Sequence, residues 1–331
     1  MAIYVLNDFH GNSKLTEDAI RLIHEIVKPG DIIIANGDIA GSRGPLMNNL
    51  ADIYYRVIRS EIDESALYEE IWRLVGERIS IPREWVREAA HFGIFRALLA
   101  EHNARFRELV SSEIVYAIDE TLAPLGAAAK ECGATIYYLS GNGELVPFDF
   151  DTSNGISVEK TINPEDYYYN KLARAGHFDS FGIQFVPGAK LLSHPDGNVL
   201  LLSTYLLDKD ESSIKMELES VGAFGREKVE IAKVIVHYPP MIAPLGATFG
   251  FWKCKKVDKR RIEALDNTLG LLQLRSGAEL YFGHIHLGAG DQRMDQYPPF
   301  MGWDKAVGPK GCAKVIIKCI WAKPGKMVQV C

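Results

Sequence analysis

Short apolar, β-branched and aromatic runs alternate with longer segments of helical periodicity along most of the chain, the signature of a layered α/β fold. Five of the runs break off in the same way. AIYVL (2–6) runs into Asn7-Asp8-Phe9-His10, DIIIA (31–35) into Asn36-Gly37-Asp38, and TIYYL (135–139) into Ser140-Gly141-Asn142. KVIV (233–236) runs into His237, and ELYF (279–282) into Gly283-His284-Ile285-His286. Each reads as a buried strand ending in a turn that carries Asp, Asn or His. Loops from distant parts of a chain meet at the carboxyl ends of strands in such sheets, so these polar residues are expected to face one crevice.

The segments between them are mostly helical in pattern. Lys14 to Lys28 has apolar residues at Leu15, Ala19, Ile20, Leu22, Ile23, Ile26 and Val27, a helix closed by Pro29-Gly30. From Pro45 to Glu131 the periodicity continues with few breakers (Pro82, Gly93 and Pro124) and no convincing strand. This predicts a core of 1–44 and 132–331 with a helical insertion at 45–131. A cap over the crevice, an oligomer contact and plain padding of a sheet face are equally open roles for it, since periodicity locates an apolar face and not what covers it. After Asn142 comes an irregular stretch rich in Asp, Asn and Tyr. Strand-like runs follow at FGIQFV (181–186), NVLLLSTYL (198–206) and KMELESV (215–221). A helix over Arg260 to Arg275 and a terminal hairpin, KVIIKCIWA and KMVQV joined by Lys-Pro-Gly, complete the expectation.

Composition narrows the function classes. A chain of 331 residues, 47% hydrophobic with a net charge of −6, can bury a large core and is not built mainly to hold bare nucleic-acid backbone. Nucleic acid is therefore disfavoured as a partner, except at a local basic patch. The apolar start is short and lacks the basic head of a secretory signal, and no run is long enough to span a bilayer, so no membrane partner is expected. Five widely spaced cysteines (132, 254, 312, 319 and 331) contain no Cys-x-x-Cys pair, which fits a reducing, cytoplasmic location. No Gly-x-Ser-x-Gly elbow, P-loop or Gly-x-Gly-x-x-Gly fingerprint is present.

Singly, each strand-end motif is weak, because Asp-x-His and Gly-Asp are common in turns. Together, the order Asp-x-His, Gly-Asp, Gly-Asn, His, Gly-His-x-His points to a shared metal site. Two divalent cations about 3.5–4 Å apart need a bridging carboxylate, with imidazoles, a second carboxylate and an amide oxygen around them. The histidine content favours Mn²⁺, iron (Fe²⁺/Fe³⁺) or Zn²⁺ over Mg²⁺ or Ca²⁺. Such a pair activates water and stabilises charge at a phosphoryl centre, so hydrolysis of a phosphate ester is the expected reaction.

The five motifs resemble those of the calcineurin-like metallophosphoesterase superfamily, over most of the chain outside the insertion. The resemblance implies two mixed β-sheets packed as a sandwich and flanked by helices, a four-layer αββα arrangement. It implies that Asp8, His10 and His286 hold one metal, that Asp38 bridges, and that Asn142, His237 and His284 hold the other. His237-Tyr238-Pro239-Pro240 matches the fourth motif, its prolines fixing the chain after the ligand.

The third motif departs. Where the family commonly reads Gly-Asn-His followed by an acid, this chain has Gly141-Asn142-Gly143-Glu144. Gly143 thus removes the histidine expected at the leaving oxygen, a contribution of about 10²–10⁴ in rate for general acid catalysis. That tilts the expected substrate from phosphomonoesters toward small or nucleotide-type phosphodiesters. Glu144 keeps the acidic place as a partner orienting a ligand. His177, His194, His91 and His102 are candidate replacements, each weighed against an ordinary surface or packed histidine. Arg43, in GDIAGSRG, has the planar fork to contact a phosphate oxygen, or is a plain loop arginine. The basic run from Lys253 to Arg261 reads either as steering for a polyanion or as the solvated start of the following helix. Two rivals accompany the phosphoesterase reading: a nuclease of the same superfamily, and a non-catalytic scaffold that retains the metal site.

Overall fold

The computed structural model describes residues 1–39, 73, 103–141, 172–240, 256–284, 300–307, 315–322 and 326–331. The chain divides into two compact units, Met1–Ala40 with Glu120–Cys331, and Gly41–Asp119. Of the second, the described residues are Arg73, which is exposed, and the first part of a long helix. The rest of the second unit, with Arg43, His91 and His102, lies outside the described residues, as do Asn142, Gly143, Glu144 and His286.

The first unit is two mixed sheets with helices outside them. One sheet joins β1 (Ile3–Leu6), β2 (Ile32–Asn36), β3 (Thr135–Leu139) and β4 (Ile183–Val186) in parallel, with β11 (Val328–Gln329) antiparallel to β1. The other has the order β5 (Ala189–Leu192), β6 (Asn198–Leu202), β7 (Glu230–Val236), β8 (Gln273–Phe282), β10 (Val315–Ala322), β9 (Phe300–Val307). Its four central strands are parallel and its two edge strands antiparallel.

Both faces of the central strands are buried, which explains their near-continuous apolar runs. Ile3, Val5, Ile32, Ile34, Tyr137 and Leu139 of the first sheet share one core with Val199, Leu201, Ile235, Tyr281 and Ile320 of the second. The alternate residues of the second sheet, Leu200, Leu202, Val234, Val236, Leu280 and Phe282, belong to another core. That core includes Ile262, Leu265 and Leu269 of helix α5 (Lys256–Leu271) and Ile214 and Leu218 of α4 (Glu211–Ser220). On the first sheet, α2 (Asn103–Glu131) comes close to β4. A Cβ at Gly126 would overlap the Phe181 carbonyl oxygen and lie 3.0 Å from Ile183 Cγ1. Cys132 Sγ lies 3.7 Å from the Ile23 carbonyl at the end of α1 (Ser13–Ile26), which brings α1 and α2 together. The result is a four-layer αββα sandwich.

Several sequence expectations are corrected. KMELESV is not a strand but most of α4, because Asp210 caps the helix by accepting from Ser213 N, and Ile214 and Leu218 recur at helical spacing. The helix expected through Arg275 stops at Leu271, and Arg275 lies in β8. Pro124 does not break α2, which continues through it to Glu131. The terminal pair is not a hairpin: β10 joins the second sheet and β11 crosses to the first. There β11 fills the open side of β1, with Val330 N donating to the Ile3 carbonyl at 2.7 Å and Val330 buried in the inter-sheet core. NVLLLSTYL is a strand only to Leu202, after which Thr204–Leu207 forms the short helix α3. β5 and β9 were not foreseen.

The basic run before α5 is likewise more than a solvated helix start. Arg261 sends Nε and Nη2 to the two oxygens of Asp208 at 2.8 and 2.7 Å, with side chains 4% and 1% exposed, and Arg260 Nη2 adds a bond at 2.9 Å. Burial pushes the Asp208 carboxyl up, but the Arg261 charge and the arginine hydrogen bonds outweigh it and hold it below the usual carboxylate range. A carboxyl with a depressed folded pKa contributes stability that is present above its unfolded value of about 3.9 and is lost as pH falls toward the folded value. Asp208→Asn is expected to cost about 3–5 kcal/mol at pH 7, because it strands Arg261 in the interior. Urea unfolding should show that deficit shrinking below about pH 4. A deficit independent of pH would contradict the assignment.

Candidate metal centre

The parallel strands β1, β2, β3, β7 and β8 all deliver their carboxyl ends to one place. Short backbone bonds tie neighbouring ends together: Asp8 N to the Gly37 carbonyl at 3.2 Å, His10 N to that of Asp38 at 2.6 Å, and Gly283 N to that of His237 at 3.1 Å. Side chains tie one sheet to the other. Asn36 Nδ2 donates to the Val236 carbonyl at 3.0 Å, and the buried hydroxyls of Ser140 and Ser203 lie 2.8 Å apart.

Five of the candidate residues converge there. Asp8, His10 and Asp38 form one group, and Asp38, His237 and His284 a second; within each, one ligand-type atom per residue lies within 4.8 Å of the others. Asp38 belongs to both. Its Oδ2 lies 3.5 Å from His237 Nε2 and 3.6 Å from His10 Nε2. The Asp8 carboxylate accepts the His284 backbone N–H, with 3.1 Å to each oxygen. His237 Nδ1 lies 3.2 Å from the Asn36 carbonyl, to which it donates, so the ring is held with Nε2 facing Asp38.

The charge state follows from burial and proximity. Asp8 is raised to about 6, chiefly by burial and further by Asp38, against the lowering effect of His237, His10 and the His284 N–H. Burial also pushes Asp38 up, but His237, His10 and the His237 hydrogen bond outweigh it and hold Asp38 far below the ordinary carboxylate range. One carboxylate is therefore ionised first and the second later. A divalent cation would offset the cost of ionising both in so dry a place.

The backbone is bent to make the cluster. All the non-glycine residues with positive φ among the described residues are members of it: Asp8 (54°), His10 (51°), Asp38 (49°) and His284 (66°). This left-handed conformation costs roughly 1–3 kcal/mol each and concentrates at functional sites. The glycines beside these positions are required by space. A Cβ on Gly37 would lie 2.6 Å from His237 Nδ1 and 2.7 Å from Gly141 Cα. On Gly141 it would overlap Asp38 Oδ1 and N, and on Gly283 the Asp8 carboxylate. The glycines of the Gly-Asp, Gly-Asn and Gly-His pairs thus keep a side chain out of the space of His237, Asp38 and Asp8.

His177 and His194 are engaged elsewhere. His177 meets the rings of Phe181 and Phe178 edge-on at 5.1 and 6.0 Å. His194 lies between the Met1 carbonyl (2.9 Å from Nε2) and Asp196 N (3.1 Å from Nδ1). His194, Asp196 and Cys331 also group closely enough to suggest a ligand set, but the two hydrogen bonds occupy both imidazole nitrogens. Residues with no sequence signal for a role here are Asn36, which orients His237, and the Asp208–Arg261 pair behind Tyr238.

No family model matches the chain, and no curated protein matches it. A solved structure aligns over 99% of this chain and 94% of its own at a TM-score of 0.41 and 12% identity, too distant a likeness to bear on fold or function.

Substituting the glycines tests the geometry directly. Gly141→Ala is expected to lose about 2–4 kcal/mol in denaturant unfolding, because the Asp38 backbone it meets cannot swing away. Gly188→Ala, where the added Cβ meets the flexible Glu217 carboxylate, should lose about 1 kcal/mol or less. Equal losses would contradict the packing described.

Proposed function

We propose that the protein is a dinuclear metal-dependent phosphoesterase that favours phosphodiesters over monoesters. The observation that carries this reading is the membership of Asp38 in both ligand groups, which is what a bridging carboxylate requires. In this reading Asp8, His10 and Asp38, with His286, hold one ion, and Asp38, His237 and His284, with Asn142, hold the other. The donor set suits Mn²⁺, iron or Zn²⁺. Two such ions supply an activated water and charge stabilisation at phosphorus.

The chain's own residues do the rest. The Asn36 carbonyl orients the ring of His237. Burial of Asp8, Asp38 and His237 keeps bulk water from the inner side of the cluster, while the His10 side chain, 40% exposed, marks the side from which a substrate can approach. Gly143 leaves no proton donor at its position in the third motif, which handicaps poor leaving groups most and underlies the preference for diesters. Glu144 and Arg43 keep the roles of ligand brace and phosphate contact in this proposal.

A nuclease is less well supported, because Arg260 and Arg261 of the basic run are directed to Asp208. Among the described residues no helix is long and apolar enough to cross a membrane, and Cys132 and Cys331 are free thiols. These suit the cytoplasmic location we propose, with a small phosphoester as substrate and oligomerisation through the 45–131 segment as a further proposal.

Loaded with Mn²⁺, the protein is expected to retain two ions per chain and to cleave bis(p-nitrophenyl) phosphate faster than p-nitrophenyl phosphate. Asp38→Asn should lose both ion retention and hydrolysis. Retention of two ions without cleavage of either ester would favour the scaffold reading, and an Asp38→Asn variant as active as wild type would overturn the proposal.

A further inference from the structure

Tyr238 lies directly behind the histidine pair. Its ring stacks on that of His284 at a centroid distance of 4.2 Å and 27° between planes, and His237 meets the same imidazole edge-on at 5.2 Å and 76°. The phenol is itself held: Arg261 Nη1 donates to its oxygen at 2.9 Å, and the guanidinium lies 5.5 Å from the ring centroid. Arg261 is in turn forked onto Asp208. Tyr238 and Arg261 are buried, and so is the Asp208 side chain. The group links the ends of β7 and β8 to α5 and to the residue that follows α3.

From this we infer that Tyr238, anchored by Arg261 and Asp208, is a positioning residue that sets the plane of the His284 imidazole and so the metal affinity of the His237–His284 side. The inference rests on reading the cluster as a metal centre. Rotation of an imidazole about Cβ–Cγ is soft, because that torsion has broad minima. The Asp8 bond fixes the His284 backbone but not this torsion. Two ring walls do fix it, one face-on and one edge-on. A wall is useful only if it stays in place, and the bond from Arg261 to the phenol oxygen holds the far end of the Tyr238 ring against swinging away from His284. A phenylalanine would fill the same space without involving a buried ion pair, whose desolvation is costly. The hydroxyl is what connects the ring to that pair.

The test is Co²⁺ titration of the full chain, followed by ligand-field absorption, in wild type, Tyr238→Leu and Tyr238→Phe, with urea unfolding alongside. Wild type should take up two ions. Tyr238→Leu should weaken one of them by about 10- to 100-fold and shift its absorption band, leaving the other unchanged. Tyr238→Phe, which keeps the stack but loses the bond to Arg261, should recover only part of that loss. A leucine variant that binds both ions normally, or loses both in step with stability, overturns the positioning role, as does a phenylalanine variant that recovers nothing. Wild type that binds no Co²⁺ defeats the metal-centre reading itself, whereas two ions with an indifferent Tyr238→Leu defeat only this inference.

Discussion

The Asp38 carboxylate, buried between the imidazoles of His10 and His237, is the contact around which the rest of the fold is arranged. A carboxylate in so dry a place is tolerated only with positive or proton-donating partners on more than one side. Supplying them requires residues from four strands to approach within a few ångströms of one another. That requirement explains the missing side chains at Gly37, Gly141 and Gly283, each of which would collide with a member of the cluster. It also explains why Asp8, His10, Asp38 and His284 adopt a backbone conformation that few residues favour.

A sandwich of two largely parallel sheets suits that demand. Parallel strands direct their carboxyl ends the same way, so β1, β2 and β3 of one sheet and β7 and β8 of the other can present their turns to a common point. The inter-sheet core fixes the distance between the two sets, and the Asn36–Val236 and Ser140–Ser203 contacts fix their register beside the cluster. Packing and chemistry are coupled here. Tyr238 belongs to the second sheet's helix-facing core and also stacks on His284, so a change in that core reaches the cluster through one ring.

Much of this was legible in the sequence. The central strands are buried on both faces, which writes them as short apolar runs, and each run ends at a glycine or a polar residue whose neighbour lies at the cluster. The misreadings have local causes. KMELESV alternates like a strand, and only the Asp210 cap and the spacing of Ile214 and Leu218 decide for a helix. Lys-Pro-Gly is a good hairpin turn, yet β11 is drawn to the open side of β1, a long-range pairing that no local signal reports. The helix expected through Arg275 overran because α5 passes into β8 with only Leu272 between them, and the pairing of β8 with β7 is itself irregular. Arg261 looked like one more charge in a basic run. Its burial depends on Asp208, more than fifty positions away, and pairing at that distance leaves no pattern in composition or periodicity.

The account's central claim is that Asp38 is shared between two cation positions, and anomalous X-ray diffraction from crystals of the protein soaked in Mn²⁺ tests it most directly. Two anomalous peaks about 3.5–4 Å apart with the Asp38 carboxylate between them are the predicted result. A single peak, or two peaks that Asp38 does not touch, would contradict it.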